Sequence, residues 1–462
     1  MKQNKIHFSG NNISQRRSFL SRFIVLSVIV LGSASCKKYL ELFPNDGIAS
    51  SQAIIDAGTA RAAIIGTYDR VQGYQAGDYP TLGTIPADNV IFNGTLSQYL
   101  QLDQNAVPPD NVTTVSAYQG LYKVINSANN VIALVPGVTD PALSEAEKNK
   151  ILGEAYFLRA LSYFDLARAW GGVQIQLQPT TDLSVIKGVK RSSLKETYDQ
   201  VLADLIAAEP LLSDDATTRN RAQKSTVYAL RARLHLYRKE WGDAETYAGK
   251  VIQNNKYELV KPYKNFFTTP FQTKESVFEL QYSANDRNSF WNLWYPSSLG
   301  GQYTLKPSES IITKLNDPNI GGTRSALLAG TGSGVYGVLY NTAGTNTDPS
   351  YIIRIAELYL IRAEARAQQD KLEDALEDLN AVRERAGVPA STSSTKASVL
   401  SDIEQENSVE FAFEAHRWFD LARTERTGEV LGVTDRNFWI FPLPYQDVLS
   451  DPDLEGKNNP GY

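Results

Sequence analysis

The segment Ile151–Trp170 (ILGEAYFLRALSYFDLARAW) constrains the fold of this chain more than any other. At helical spacing it is apolar almost all round, and Glu154, Asp165 and Arg168 share its one narrow polar sector. Such a helix is stable only when neighbours cover it on every side, so the chain must build a layered helical core around it. Gly171-Gly172 closes the helix, because glycine accepts the left-handed backbone that helix ends adopt. Val173 to Leu177 then alternates with period two, which predicts a short half-buried strand ended by Pro179.

Two later segments repeat a helix-pair pattern. Ser225–Asn254 places Tyr228, Ala229, Ala232 and Leu236 before a break near Lys239-Glu240, then Trp241, Ala244, Tyr247, Ala248 and Ile252. Tyr351–Gly387 places Ile355, Leu358, Leu360, Ala363 and Ala365 before a break at Gln369-Asp370, then Ala375, Leu379 and Val382. Both run for about 34 residues, with small alanines where helices approach closely, which is the tetratricopeptide pattern. Weaker helices at Ser192–Leu212 and Glu404–Arg426 complete a mostly α fold, a broken helical-repeat solenoid. Val277–Tyr282 alternates as a strand, Ser283–Asn346 reads almost entirely as loop, and Tyr74–Asp110 is a similar polar stretch dotted with aromatics. Loops longer than about 15 residues are uncommon in compact domains and usually functional. The predicted architecture is a helical scaffold from 36–272 and 350–462, a few short strands, and an irregular ligand lobe drawn mainly from 74–110 and 273–349.

The amino-terminal end has the layout of an export signal. Arg16, Arg17 and Arg22 precede the nine-residue apolar run Phe23–Leu31, and small residues Gly32-Ser33-Ala34-Ser35 follow. Nine residues fall well short of the roughly 20 that span a bilayer as a helix. Cys36, the only cysteine, stands directly after the small residues, where a bacterial lipoprotein carries its acylated first residue; Ser33 occupies a position where leucine is usual. The chain is therefore expected to lose residues 1–35 and to be held at a membrane through lipid on Cys36. That cleavage leaves 427 of 462 residues and takes Lys2, Lys5, Arg16, Arg17 and Arg22 but no acid, so the formal charge falls from −5 to −10. An acidic chain lacks the basic surface that nucleic acid requires. A lone cysteine excludes an internal disulfide.

Catalysis finds no support in the residue types. Once His7 leaves with the signal, only His235 and His416 remain, both inside helical patterns, too few for a metal centre or a Ser-His-Asp set. With 51 carboxylates, some pair stands at glycosidase spacing by chance, so none is nominated. Gly330–Gly334 lacks the Lys-Ser/Thr of a phosphate-binding loop. No catalytic residue, metal or cofactor is expected.

A series of motifs resembles the SusD/RagB family of surface lipoproteins over the whole mature chain. They are Cys36-Lys37-Lys38-Tyr39-Leu40-Glu41 with Pro44, Glu154–Ala160 with Tyr163–Leu166, and Glu275–Glu279. Ile353–Glu357 with Arg362–Ala365 follows, running into Leu379–Arg383, and then Phe413–Leu421. Phe441–Pro444 and Asn459–Tyr462 close the series in the family's order. Gly322-Thr323-Arg324 stands near the place where the family usually has an Asp-Pro-Arg run. The resemblance implies four helical repeat pairs with an irregular ligand-binding lobe. It implies a non-catalytic glycan receptor, anchored in the outer membrane and exposed at the cell surface. In that role it is the lid of a SusC-like TonB-dependent barrel transporter for oligosaccharide uptake. A peptide-binding lid and a tetratricopeptide protein-interaction scaffold are the alternatives.

Aromatic residues divide accordingly. Trp170, Trp241, Trp418 and Trp439 sit in helix or tail motifs and are expected to pack. Trp291, Trp294 and Tyr295 (NSFWNLWYP) lie outside every helix and strand pattern, as exposed planes for sugar stacking or as a small core under the loop. A stacking contact resembling an aromatic pair is worth about 0.5–1.5 kcal/mol, so two or three with hydrogen bonds suffice for a weak glycan site. Tyr74, Tyr79 and Tyr99 are candidate ligand contacts in the other long stretch, where Asn93, Gln98, Gln101, Asp103 and Asn105 could bind hydroxyls.

Overall fold

The structure, a computed structural model, describes residues 53–180, 188–268, 271–342 and 344–462. Ile54–Tyr462 forms one compact unit. Cys36 and the signal segment lie outside the described residues. No helix among the described residues is long and apolar enough to cross a membrane.

Four helix pairs make the scaffold. α1 (Ala57–Gln75) is followed by two short helices, α2 (Asp78–Thr84) and α3 (Ser97–Asp103), and packs along α4 (Val112–Leu134). α5 (Glu145–Trp170) lies against α4 and against α6 (Leu194–Ala208), and α7 (Lys224–Tyr237) pairs with α8 (Trp241–Ile252). The short helices α9 (Asn265–Thr268), α10 (Phe290–Trp294) and α11 (Glu309–Asn316) intervene before the fourth pair, α12 (Ile355–Gln368) and α13 (Leu372–Arg385). Because α12 contacts α8 as well as α13, the fourth pair continues the third in space. α14 (Lys396–Glu410), α15 (Arg417–Arg423), α16 (Thr427–Leu431) and α17 (Tyr445–Ser450) complete the chain.

α5 is surrounded, as its composition demands. Even its polar sector is inside: Glu154 pairs with Arg221, while Asp165 accepts from Arg168 at 2.8 Å and from the Tyr74 hydroxyl at 3.2 Å. The two repeat turns are alike in detail. Lys239 (φ 59°) and Asp370 (φ 62°) both adopt left-handed backbone. The next residue's N–H then donates back across the turn, Glu240 to His235 and Lys371 to Arg366, each at 2.9 Å. That bond satisfies a carbonyl left open at the helix end.

Several segments differ from the sequence-based expectation, and one of them, Tyr74–Asp110, holds α2 and α3 where the sequence predicts a loop-like stretch. Val173–Leu177 forms only an isolated bridge between Gln174 and Arg191. Side chains of the neighbouring helices take its backbone groups: Tyr122 Oη donates to the Gln174 carbonyl, and Tyr163 Oη both donates to and accepts from Gln176. Glu404–Arg426 divides into α14 and α15, and the turn between them brings Glu410 and Glu414 onto one arginine. Ser283–Asn346 is not a bare loop. It holds α10, α11 and the strands β3 (Leu305–Pro307), β4 (Leu328–Ala329) and β5 (Tyr336–Gly337). With β1 (Val90–Phe92), β2 (Ser276–Leu280) and β6 (Ser350–Arg354), these make three two-stranded antiparallel ribbons, β1–β3, β2–β6 and β4–β5. β2 and β6 are buried along their full length.

A buried charge cluster ties these parts together. Arg354, at the end of β6, donates to Glu275 (2.9 Å), Glu410 (2.7 Å) and Glu414 (2.7 Å). Arg385 pairs with Glu275 and Glu410, Arg324 with Glu410 and Glu406, and Arg383 with Glu406. The aromatic rings of Phe266, Phe411 and Tyr263 face the guanidiniums of Arg354 and Arg385 at 4.4–4.9 Å. Four arginines against four glutamates leave the cluster formally neutral, which is what burial of so many charges requires. Burial pushes the Glu410 carboxyl up, but Arg385, Arg324 and Arg354 outweigh it and hold Glu410 at about 2, below its ordinary 4.5. Burial prevails at Glu406 and Glu414, which are raised.

Removing one partner leaves uncompensated charge in the core. Glu410→Ala should therefore lower the unfolding free energy by about 3–5 kcal/mol, measured by denaturant titration at neutral pH. A carboxyl held below its unfolded pKa stabilises above that value and loses its contribution as pH falls through the folded value. Acid unfolding of the native chain should accordingly draw on Glu410 between pH 4.5 and about 2, and the variant should lack that part of the slope.

Candidate functional site

Strand pairing brings the two aromatic-rich stretches into one lobe. β1 pairs with β3 through Val90–Pro307, Ile91–Lys306 and Phe92–Leu305. The Asn93 N–H donates to the Thr304 carbonyl (2.8 Å) and its Nδ2 to the Tyr303 carbonyl (2.9 Å), while Ser289 Oγ donates to the Ala76 carbonyl (2.8 Å). Local bonds explain most of the nominated polar residues. Asp103 accepts the Phe92 N–H, Asn105 donates to the Pro86 carbonyl, and Gln101 accepts from Asn111. These side chains shape the backbone. Gln98 is half-buried and Asn93 is exposed at the lobe surface.

Of the six aromatic candidates, the structure leaves one with a half-exposed ring, Tyr99 on α3, which stands edge-on to Phe92 at 6.0 Å. Tyr74 and Tyr79 are core residues beneath α5. The Tyr79 hydroxyl donates to the Asp165 carbonyl at 3.1 Å and accepts from Arg168 Nε at 2.8 Å, and its ring stacks on Phe419. Trp291, Trp294 and Tyr295 belong to α10 and the residue after it, with exposures of only 4%, 1% and 6%. Trp291 stacks on Tyr295 (5.0 Å, 27°), Tyr295 meets Tyr336 (5.1 Å), and Trp294 packs against Phe413 (4.9 Å) and Phe290 (5.9 Å). A Cβ on Gly337 would lie 2.9 Å from Trp294, so that glycine makes room for the indole. The expectation of open stacking planes is therefore corrected for Trp291, Trp294 and Tyr295, which form the satellite core under the lobe, and the expectation of ligand contact is corrected for Tyr74 and Tyr79, which belong to the scaffold core. Single-turn α10 carries too few residues for a periodic pattern, so the sequence alone could not show which way its rings turn.

The histidines are engaged structurally. His235 Nδ1 lies 2.6 Å from Glu240 and the ring stacks on Tyr247. His416 stacks on Phe411 at 4.4 Å, and burial holds its pKa well below 6.5, so it is neutral. His235, Glu240 and Asp243 place ligand-capable atoms within 4.8 Å of one another, but Glu240 is already held by Arg238 at 2.8 Å.

Two open cavities went unread in the sequence because distant segments form them. One, of about 520 Å³, runs between α7, α12, α14 and α15, where Trp241, Arg417, Arg423 and Glu404 line it. The other, of about 440 Å³, lies between α4, the Gln174–Gln176 segment and α17.

The satellite core carries a stability expectation. Trp294→Ala should cost about 3–5 kcal/mol through the cavity it leaves against Phe413 and Phe290, seen as a lower melting temperature. Tyr99→Ala, at a half-exposed position, should leave the melting temperature within a degree or two.

Comparison with known proteins gives a consistent picture. Residues 37–236 match a family model described as starch-binding associating with outer membrane, and residues 237–435 match the model of the SusD family. The chain is 26% identical to SusD-like protein P38 of Formosa agariphila, over 94% of this chain and 97% of that one. It is also 26% identical to a SusD-like protein of Bacteroides ovatus, over 87% and 82%. Among solved structures, a SusD superfamily protein from Bacteroides vulgatus aligns with a TM-score of 0.80 at 20% identity, covering 88% of this chain and 99% of the other. A laminarin-binding SusD-like protein aligns with a TM-score of 0.77 at 22% identity, covering 88% and 100%. Two family models laid end to end over residues 37–435, with a fold shared by solved SusD superfamily structures, lead to one conclusion: the chain belongs to the SusD family.

Proposed function

We propose that this protein is a non-catalytic, lipid-anchored receptor for oligosaccharide and the lid of a TonB-dependent barrel transporter in the outer membrane. The observation that carries the reading is the end-to-end family match from residue 37 to residue 435. It begins at the residue after Cys36, where the mature chain is expected to begin, and its first half is described as starch-binding and outer-membrane-associated. The laminarin-binding structural neighbour supports a glycan as the ligand class. Helical repeats offer the extended surfaces a lid needs to dock on a barrel. Within the lobe, the sugar contact is assigned to the rim around Tyr99, Phe92 and Asn93. The Trp291–Tyr295 stack is joined to that rim through the Tyr303 backbone, which bonds both Tyr295 and Asn93. The non-catalytic reading draws support from the buried carboxylates, because Glu154, Asp204, Glu275 and Glu410 are each spent on an arginine.

Lipid on Cys36 contributes roughly 0.8 kcal/mol for each buried methylene, and stable anchoring needs more than one chain. Cys36→Ser should move the protein from the membrane fraction to the soluble fraction, and the wild-type amino terminus should carry acyl mass. Wild-type protein purified in detergent should bring a large barrel protein with it. Unchanged fractionation of the variant would overturn the anchor. Recovery of the wild type only as a free monomer, under conditions that keep other barrel complexes whole, would overturn the lid.

A further inference from the structure

Away from the lobe, the cavity between α4, the Gln174–Gln176 segment and α17 has the attributes of a built binding site. Its volume of about 440 Å³ falls within the range of small-molecule sites, about 300–1,000 Å³. Tyr118 and Tyr122 line one side, with ring centroids 5.0 Å apart and planes at 48°. The frame is fixed by its own bonds: Tyr122 Oη donates to the Gln174 carbonyl (2.7 Å), Asn129 Nδ2 to the Gln176 carbonyl (3.0 Å), and Gln174 Nε2 to Asp451 (2.8 Å). Four lining side chains make no hydrogen bond or ion pair with any described residue: Gln176 and Asp447, half-buried within the frame, and Gln119 and Lys123, exposed at its rim. Burial, and then the neighbouring Asp451, raise the pKa of Asp447, as expected of a carboxyl with no donor among the described residues.

The chemistry of the unspent groups selects the ligand. Two amides each donate and accept, an ammonium donates and a carboxylate accepts, all beside apolar ring surface. A simple anion would meet Asp447 and Asp451, and a simple cation would meet Lys123. A neutral polyol satisfies the whole set, because each hydroxyl both donates and accepts while a pyranose C–H face covers an aromatic ring. We propose that this cavity is a second site for a neutral sugar ring, separate from the lobe. It shares the ligand class of the receptor reading but does not depend on the lobe being the receptor face.

The test uses the full mature chain and a panel of glucose, galactose, mannose and xylose with their α- and β-linked disaccharides. Saturation-transfer NMR would find binders and titration would rank them. At least one sugar should bind the wild type, and the double variant Gln119→Ala with Asp447→Ala should raise its Kd about tenfold or more, the loss expected for two hydrogen bonds. Tyr99→Ala should weaken binding at the lobe rim only, and the binding that survives in it should be the part that the double variant removes. The double variant should keep the wild-type melting temperature, since neither side chain makes a hydrogen bond or ion pair with a described residue. Absence of binding by every sugar at millimolar concentration, or an unchanged Kd in the double variant, would overturn the second site. Loss of binding in Tyr99→Ala alone would overturn it while supporting the lobe as the receptor face.

Discussion

The neutral cluster of Arg324, Arg354, Arg383 and Arg385 with Glu275, Glu406, Glu410 and Glu414 is the interaction on which the rest of the structure depends. Its members come from the start of β2, the end of β6, the ends of α13 and α14, and the turns after α11 and after α14. Burying such charges is costly, and the cost is offset only if every one is matched in place. The cluster therefore acts less as a source of net stability than as a specification of geometry, because a displaced segment would leave a buried charge unmatched. Arg324 belongs to the segment between α11 and β4, and its two glutamates belong to α14. Lobe and scaffold are thereby held in one register.

That register explains how an irregular lobe can present a fixed surface without a large sheet of its own. Three ribbons, none longer than five residues per strand, would be marginal in isolation. Beneath them the α10 rings, Tyr336, Tyr340 and Phe413 form a packed aromatic floor. The tryptophans that look like binding residues in the sequence do their work from below, by holding the backbone that carries Tyr303, Asn93 and the rim. A rigid rim would limit the ordering cost of the glycan capture proposed for it.

Much of this was legible in the sequence, for physical reasons that differ by element. The all-round apolar pattern of α5 could be satisfied only by enclosure, and both repeat turns were marked by breaks at Lys239-Glu240 and Gln369-Asp370. The motifs that carried the family resemblance contain half of the charge cluster: Glu275, Arg354, Arg383 and Glu414 lie within them. Arg324 also lies in the Gly322-Thr323-Arg324 run noted as a departure, and it holds a central place in the cluster. What the sequence hid was direction and distance. Short elements such as α10 and β3 carry too few residues to declare a period, so the sequence left open whether the α10 rings stood exposed or turned inward. The cavity between α4 and α17 joins residues about three hundred positions apart, a pairing that local patterning does not encode.

The central claim is that a rigid family scaffold captures glycan without chemistry. Titration calorimetry with a panel of neutral oligosaccharides, followed by chromatography of the same samples after long incubation, tests it most directly. The account predicts at least one ligand bound in the micromolar-to-millimolar range and recovered intact, with no shorter products. Release of shorter products, or absence of binding across the panel, would contradict it.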